Sequence, residues 1–292
     1  MREIRRRRDR VERSLLGYLS PAICDIPERL RGAMEYSLTS GGKRIRPVVL
    51  LSAGGAVGGD EEEMLPFACA VEYVHTYSLV HDDLPAMDDD DFRRGRPSCH
   101  KAFGEAEAIL AGDALLTEAF RVMGESRLAS RDPGRAVRAI SMLARASGAC
   151  GMAGGQMMDL RAAQDPVPPA PERIGLKKTA ALLSAAAGMG GILGGGDDSR
   201  VEALSRYGRS LGILFQAVDD ILDESGTFEE MGKTVGKDRG RGKVTFVTER
   251  GMEAAVRRSE ELGEEAIDAL SRFGPEADAL RSIVRIVSAR RS

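Results

Sequence analysis

Residues 61–83 read EEEMLPFACAVEYVHTYSLVHDD. Within them Met64, Leu65, Ala68, Val71, Tyr73, Val74, Leu79 and Val80 recur at helical rather than alternating separations. The stretch ends on two aspartates, Asp82 and Asp83, and Pro85 disfavours a regular helix through the following turn. Asp88 therefore has to reach back from irregular backbone. Working outward, 131–161 and 198–225 carry the same period, opened by Asp132-Pro133 and by a capping Asp198-Ser199. Further helices are expected near 3–18, 28–38, 44–57, 101–127, 171–196, 248–272 and 275–290. The interruptions GGD, SRDPGR, QDPVPPAP and GGGDDS are too short for interdomain linkers and enclose no hairpin pattern. The expected fold is all-α, a single large helical bundle spanning residues 1–292 as one domain.

A chain of 292 residues can bury one large core. Its 42 basic and 45 acidic residues give a net charge of -3, which argues against a broad nucleic-acid-binding surface. Cys24, Cys69, Cys99 and Cys150 form no CxxC pair and read as free thiols in a reducing compartment. The start, MREIRRRRDRVERSLLGYL, lacks the apolar stretch and cleavage site of an export signal. It reads as a solvated amphipathic helix, with weak attachment to acidic lipid as the sharper alternative. The Ala/Gly-rich stretch 180–196 falls short of the roughly 20 residues that span a bilayer. A closely packed buried helix, no stable membrane insertion and a cytoplasmic location are expected.

The chemistry concentrates in two acidic clusters. HDDLPAMDDDDFRRGRPSCH (81–100) carries Asp82, Asp83 and Asp88 to Asp91, followed by Arg93 and Arg94. FQAVDDILDESG (215–226) carries Asp219, Asp220 and Asp223. Asp219 and Asp223, four apart, share a helical face, where unpaired like charges repel and a shared hard cation would convert repulsion into ligation. Alone, the first cluster reads as a solvated turn. The second begins inside the apolar run Leu211 to Val218, where carboxylates are costly to place without a ligand. Neither has the alternating oxygens, central Gly and terminal Glu of a calcium loop. Lys43 and Arg46 in GGKRIRP, three apart, can share a helical face, and arginine forks suit phosphate oxygens. No Walker loop is present. Paired carboxylate clusters with separate cations imply Mg2+ and a substrate carrying a diphosphate.

GGKRIRP, HTYSLVHDDLPAMDDDDFRRG, GEAEAILAGDALL, GGQMMDL, KKTA, LFQAVDDILD and GKTVGKDRGRGKVTF occur in order over roughly residues 30–250. In them the chain resembles the trans-polyprenyl diphosphate synthase family, and the spacer of DDLPAMD places it nearest to bacterial farnesyl diphosphate synthases. The resemblance implies the isoprenoid synthase helical bundle, Mg2+ as cofactor, and a homodimer that joins isopentenyl diphosphate to allylic diphosphates (dimethylallyl, geranyl). It implies Asp82, Asp88 and Asp219 as principal magnesium ligands, supported by Asp83, Asp220 and Asp223. Arg93, Lys178, Thr179, Gln216 and Lys233 would surround the allylic diphosphate, with Lys178 and Lys233 acting in catalysis. Lys43, Arg46, His75 and Arg94 would form the isopentenyl diphosphate pocket, Gln156 and Asp159 would order the cavity, and Lys243 would add a phosphate contact. Tyr77 would close the cavity floor and limit growth to farnesyl diphosphate, with geranylgeranyl diphosphate as the alternative product. A terpene cyclase would be expected to carry more aromatics than no Trp, five Tyr and eight Phe. A silent partner subunit would be expected to have lost one of the motifs, and both acidic clusters are intact.

Overall fold

Helices α1 (Arg2–Leu15), α2 (Glu28–Leu38) and α3 (Ile45–Gly55) lead into α4 (Glu61–Asp82) in the computed structural model. The structure describes residues 1–20, 22, 23, 25–162, 165, 167–225 and 245–289. Asp60 caps α4 by accepting the Glu62 N–H at 2.9 Å, and three glutamates complement the dipole of its first turn. The basic start is less solvated than its charge implies. Glu61 receives Arg6 at 2.7 Å, Arg7 at 2.8 Å and Arg10 at 3.3 Å, which fastens α1 to the head of α4.

After α4 the chain forms a two-residue antiparallel ribbon, β1 (Phe92–Arg93) and β2 (Arg96–Pro97). Arg94 and Gly95 turn it, both at positive φ, as a tight hairpin requires. An alternation two residues long leaves no pattern to read, so this element was not expected. Then follow α5 (Cys99–Phe103), α6 (Glu105–Gly124), α7 (Arg127–Arg131), α8 (Pro133–Ser147) and α9 (Met152–Ala162). The second half holds α10 (Pro171–Gly175), a π-helical turn (Leu176–Ala180), α11 (Ala181–Leu193), α12 (Asp198–Ser225), α13 (Phe246–Arg250), α14 (Met252–Ala269) and α15 (Asp278–Ser288).

Several helices expected as single pieces are broken. The 101–127 and 248–272 segments split at Gly104 and Gly251, whose φ values of 112° and 81° end one helix and start the next. The 131–161 segment splits around 148–151. Asp132 does cap α8 through the Arg135 N–H, but α12 is capped by Asp197, through Arg200, and not by Asp198-Ser199.

The bundle packs α4 against α6, and α11 against α3, α8 and α12, with α14 on the far side of α12. α11 is buried along nearly its whole length. At Gly190 a Cβ would lie 2.3 Å from the Leu50 carbonyl oxygen, so only glycine lets α11 and α3 approach this closely. Among the described residues, no helix is long and apolar enough to cross a membrane.

Candidate active site

The first acidic cluster sits where α4 ends. The chain folds back on its last turn: the Asp88 N–H bonds the Asp82 carbonyl at 2.8 Å, and the Asp90 N–H bonds the Asp83 carbonyl at 3.2 Å. This is the irregular return that Pro85 implied. Asp83 is 3% exposed and bound by Arg93 of β1, with Nε at 2.9 Å and a second, closer contact from the same guanidinium. Asp82 accepts from the Gln156 amide of α9. Burial pushes the Asp82 carboxyl up to about 6, Lys178 opposes that rise, and Asp88 adds to it.

The π turn carries the second set of groups. Lys178 Nζ lies 2.6 Å from Asp159 of α9, while Lys177 turns away to the Cys150 carbonyl at 2.9 Å. A Cβ on Gly155 would stand 2.2 Å from the Lys178 backbone nitrogen, so glycine is what seats α9 directly on this turn. Thr179 Oγ1 donates to Gln216 of α12 at 3.2 Å. Lys178, Gln216, Asp159, Asp220 and Thr245 line one cavity. Asp219, Asp220 and Asp223 all fall within α12, as their spacing required.

Between α3 and α4 lies a basic cluster in which Arg44 is buried and Arg46 and His75 are half-buried. Arg46 Nη1 is 3.2 Å from His75 Nε2. Arginine can only donate, so Nε2 accepts and the ring is neutral with its proton on Nδ1. Burial, then Arg46, Arg94 and Arg44, hold His75 well below its usual range, in agreement with a neutral ring. Burial also lowers Arg46 to about 10; Glu72 and Asp219 counter this and Arg94 reinforces it. Arg46 Nε is buried without a hydrogen-bond partner, a donor left for an anion. Lys43 does not share a helical face with Arg46. Arg44 takes the left-handed conformation (φ 48°) and α3 starts only at Ile45, which leaves Lys43 on the preceding turn. Two residues of this cluster escaped the sequence reading: Arg44 and Glu72, 4% and 2% exposed, pair at 2.6 Å. A lone glutamate inside the apolar run ACAVEYV was the available signal. Arg94, at the ribbon turn, donates to the Gly41 carbonyl and so ties the ribbon to the turn before α3.

Among the described residues, the group of potential ligands drawn within 4.8 Å of one another is Asp89, Asp91 and His100. Asp89 and Asp91 lie in the loop that follows α4 and His100 in α5, so this set is made of different residues from the expected ligands, and Asp91 also pairs with Lys101 at 2.8 Å. Lys233 and Lys243 lie outside the described residues. Tyr77 packs half-buried against the core, edge-on to His81 with ring centroids 5.8 Å apart.

An almost entirely helical bundle with acidic helix ends beside an arginine cluster is the architecture of a helical prenyltransferase. The chain belongs to the polyprenyl synthetase family, whose profile matches residues 27–286. It is 47% identical over 252 residues to the heterodimeric geranylgeranyl pyrophosphate synthase large subunit 1, chloroplastic, of Arabidopsis thaliana, covering 85% of this chain and 68% of that protein. Farnesyl diphosphate synthase of Micrococcus luteus is 42% identical over 278 residues, covering 95% and 93%. The crystal structure of an FPP/GFPP synthase from Zymomonas mobilis superposes with a TM-score of 0.86 at 37% identity, covering 98% and 97%. These identities overturn the expected placement nearest to bacterial farnesyl synthases, because a plant geranylgeranyl synthase stands above the bacterial farnesyl enzyme. The DDLPAMD spacer is one local feature, and it does not outweigh similarity summed over the bundle.

Proposed function

We propose that the protein is a magnesium-dependent trans-prenyltransferase that extends allylic diphosphates with isopentenyl diphosphate and releases geranylgeranyl diphosphate. The product assignment rests on the 47% identity to a geranylgeranyl synthase subunit over 85% of the chain. The condensation itself is supported by the convergence of Asp82, Lys178, Arg93 and the Arg46–His75 pair at one end of the bundle. The free thiols of Cys69, Cys99 and Cys150 fit a reducing, cytoplasmic setting, and a homodimer is part of the proposal.

In this reading Lys178, Thr179 and Gln216 receive the allylic diphosphate, with Arg93 completing its surroundings. Lys43, Arg46, Arg94 and the neutral His75 receive isopentenyl diphosphate; Arg46 Nε supplies the buried unpaired donor for it. Asp82, Asp88 and Asp219 offer hard oxygens suited to Mg2+; burial first, and Asp88 after it, disfavour the charged form of Asp82, which a bound cation would restore. When bound, the metal neutralises diphosphate charge and makes it a better leaving group. The allylic C–O bond breaks, the isopentenyl double bond attacks the carbon released, and the departing diphosphate takes the proton that restores a double bond. The apolar helical walls keep water from the cationic fragment.

Tyr77 favours a second product, farnesyl diphosphate, since a bulky aromatic five residues before Asp82 restricts the space below the metal site. Incubating the protein with dimethylallyl and isopentenyl diphosphates and Mg2+, then resolving products by length, decides between them. A twenty-carbon product supports the main reading, a fifteen-carbon limit the second, and no condensation refutes both.

A further inference from the structure

Asp220 adjoins Asp219 on α12, yet their side chains leave the helix about 100° apart. Asp220 is 6% exposed, and both of its oxygens accept from the protein. Oδ1 takes the Gln216 amide at 2.8 Å, and Oδ2 takes the Phe246 backbone N–H at 3.0 Å. Gln216 accepts in turn from Thr179 Oγ1 at 3.2 Å. A continuous chain of hydrogen bonds therefore runs from the π turn, through two residues of α12, to the first turn of α13. It fixes the Gln216 amide with its oxygen toward Thr179 and its nitrogen toward Asp220. Lys178 immediately precedes Thr179 on the same turn.

We infer that Asp220 is a positioning residue for the condensation, holding Gln216 and the Thr179 turn in place. This rests on the prenyltransferase reading for its kinetic consequence but not for its geometry. The charge of Asp220 is then dispensable while its acceptor role is not. Asparagine can continue the chain: its oxygen still accepts the Phe246 N–H, and its NH2 donates to Gln216 once that amide turns over. Alanine breaks the chain and strands the buried Phe246 N–H.

The test compares Asp220→Asn, Asp220→Ala and Asp219→Asn in the full chain. Hydrogen exchange at the Phe246 amide should stay protected in Asp220→Asn and Asp219→Asn and become fast in Asp220→Ala. Mn2+ binding, measured by electron paramagnetic resonance with inorganic diphosphate present, should be weakened about tenfold or more by Asp219→Asn and less than about twofold by Asp220→Asn. In turnover, Asp220→Ala should raise the allylic KM about tenfold with little change for isopentenyl diphosphate, and Asp220→Asn should recover most of that rise. Loss of Mn2+ affinity in Asp220→Asn equal to that of Asp219→Asn would overturn the inference, as would unchanged Phe246 exchange in Asp220→Ala. If the wild type condenses nothing, the prenyltransferase reading fails while the exchange and Mn2+ measurements still decide the role of Asp220. If Asp220→Ala does not fold, the Asp220→Asn arm decides alone.

Discussion

At Asp82, burial and the neighbouring Asp88 disfavour the carboxylate more than Lys178 restores it, which leaves the group near 6 against an ordinary 3.8. A carboxyl raised by folding costs stability above about pH 6 and costs nothing below about pH 4, where it is protonated in both states. Asp82→Asn should therefore stabilise the metal-free protein at pH 8 by as much as about 3 kcal/mol and leave it unchanged near pH 4. The same change should cut condensation by at least about a hundredfold. Urea melts at both pH values read the first effect and turnover reads the second; equal stabilities at pH 8 would remove the electrostatic argument. The adjacent arginines should separate by substrate. Arg93 forks onto Asp83 beside Asp82, whereas Arg94 lies in the field of Arg46 and His75. Lysine retains the charge without the fork. Arg93→Lys should thus impair allylic diphosphate use, and Arg94→Lys isopentenyl diphosphate use, in separate substrate titrations. Charge type and spacing made Asp82, Arg93 and Arg94 legible in the sequence. For Arg44 and Glu72 the lone glutamate in an apolar run was the one local sign, and nothing in the sequence marks its partner 28 residues away.

The seat of α9 on the π turn is where element packing meets chemistry. A methyl group on Gly155 would meet backbone, not a side chain that could swing away, so the two elements would have to separate. Gly155→Ala should cost about 1–3 kcal/mol and weaken the Lys178–Asp159 contact, raising the allylic KM while isopentenyl diphosphate KM stays near wild type. Thermal melting and paired titrations check both; a stability loss without a KM change would mean that Lys178 finds its place independently of α9. The long periods of α4, α8 and α12 were readable because apolar spacing over many residues admits only a helix. The breaks at Gly104 and Gly251 and near 148–151 were not, since a glycine within a periodic run is compatible with a continuous helix. The π turn is harder still, because Leu176–Ala180 shifts the register inside an otherwise helical pattern. Capping by Asp197 instead of Asp198 turns on a one-residue offset that composition cannot resolve.

For the whole molecule, packing and metal chemistry are separable. The core is a continuous apolar cluster through α3, α4, α6, α11 and α12, with no carboxylate among its side chains. Chelation should therefore abolish condensation while leaving the helical circular dichroism signal and the melting temperature of the substrate-free protein unchanged; a parallel loss of fold would show the acidic clusters holding the bundle together. Product length is also set across elements. Tyr77 rises about 7.5 Å along α4 from Asp82 and points roughly 140° away from it. Its ring meets His81 edge-on, and His81 Nε2 lies 3.0 Å from the Ile109 carbonyl of α6, so any floor that Tyr77 forms is braced against a second helix. Removing the ring should open space below the metal site without releasing that brace, because the His81 contact with Ile109 does not pass through Tyr77. Tyr77→Ala is expected to lengthen the product beyond that of the wild type, at a stability cost of no more than about 3 kcal/mol for a half-buried ring. Chromatography of both proteins with excess isopentenyl diphosphate reads the shift directly. If the wild type stops at fifteen carbons and Tyr77→Ala reaches twenty, the ring is the ruler and the protein makes farnesyl diphosphate; if the wild type already releases twenty and the variant exceeds it, the geranylgeranyl assignment stands with Tyr77 as a deeper floor. An unchanged product in the variant would move the limit to another wall of the bundle, away from α4.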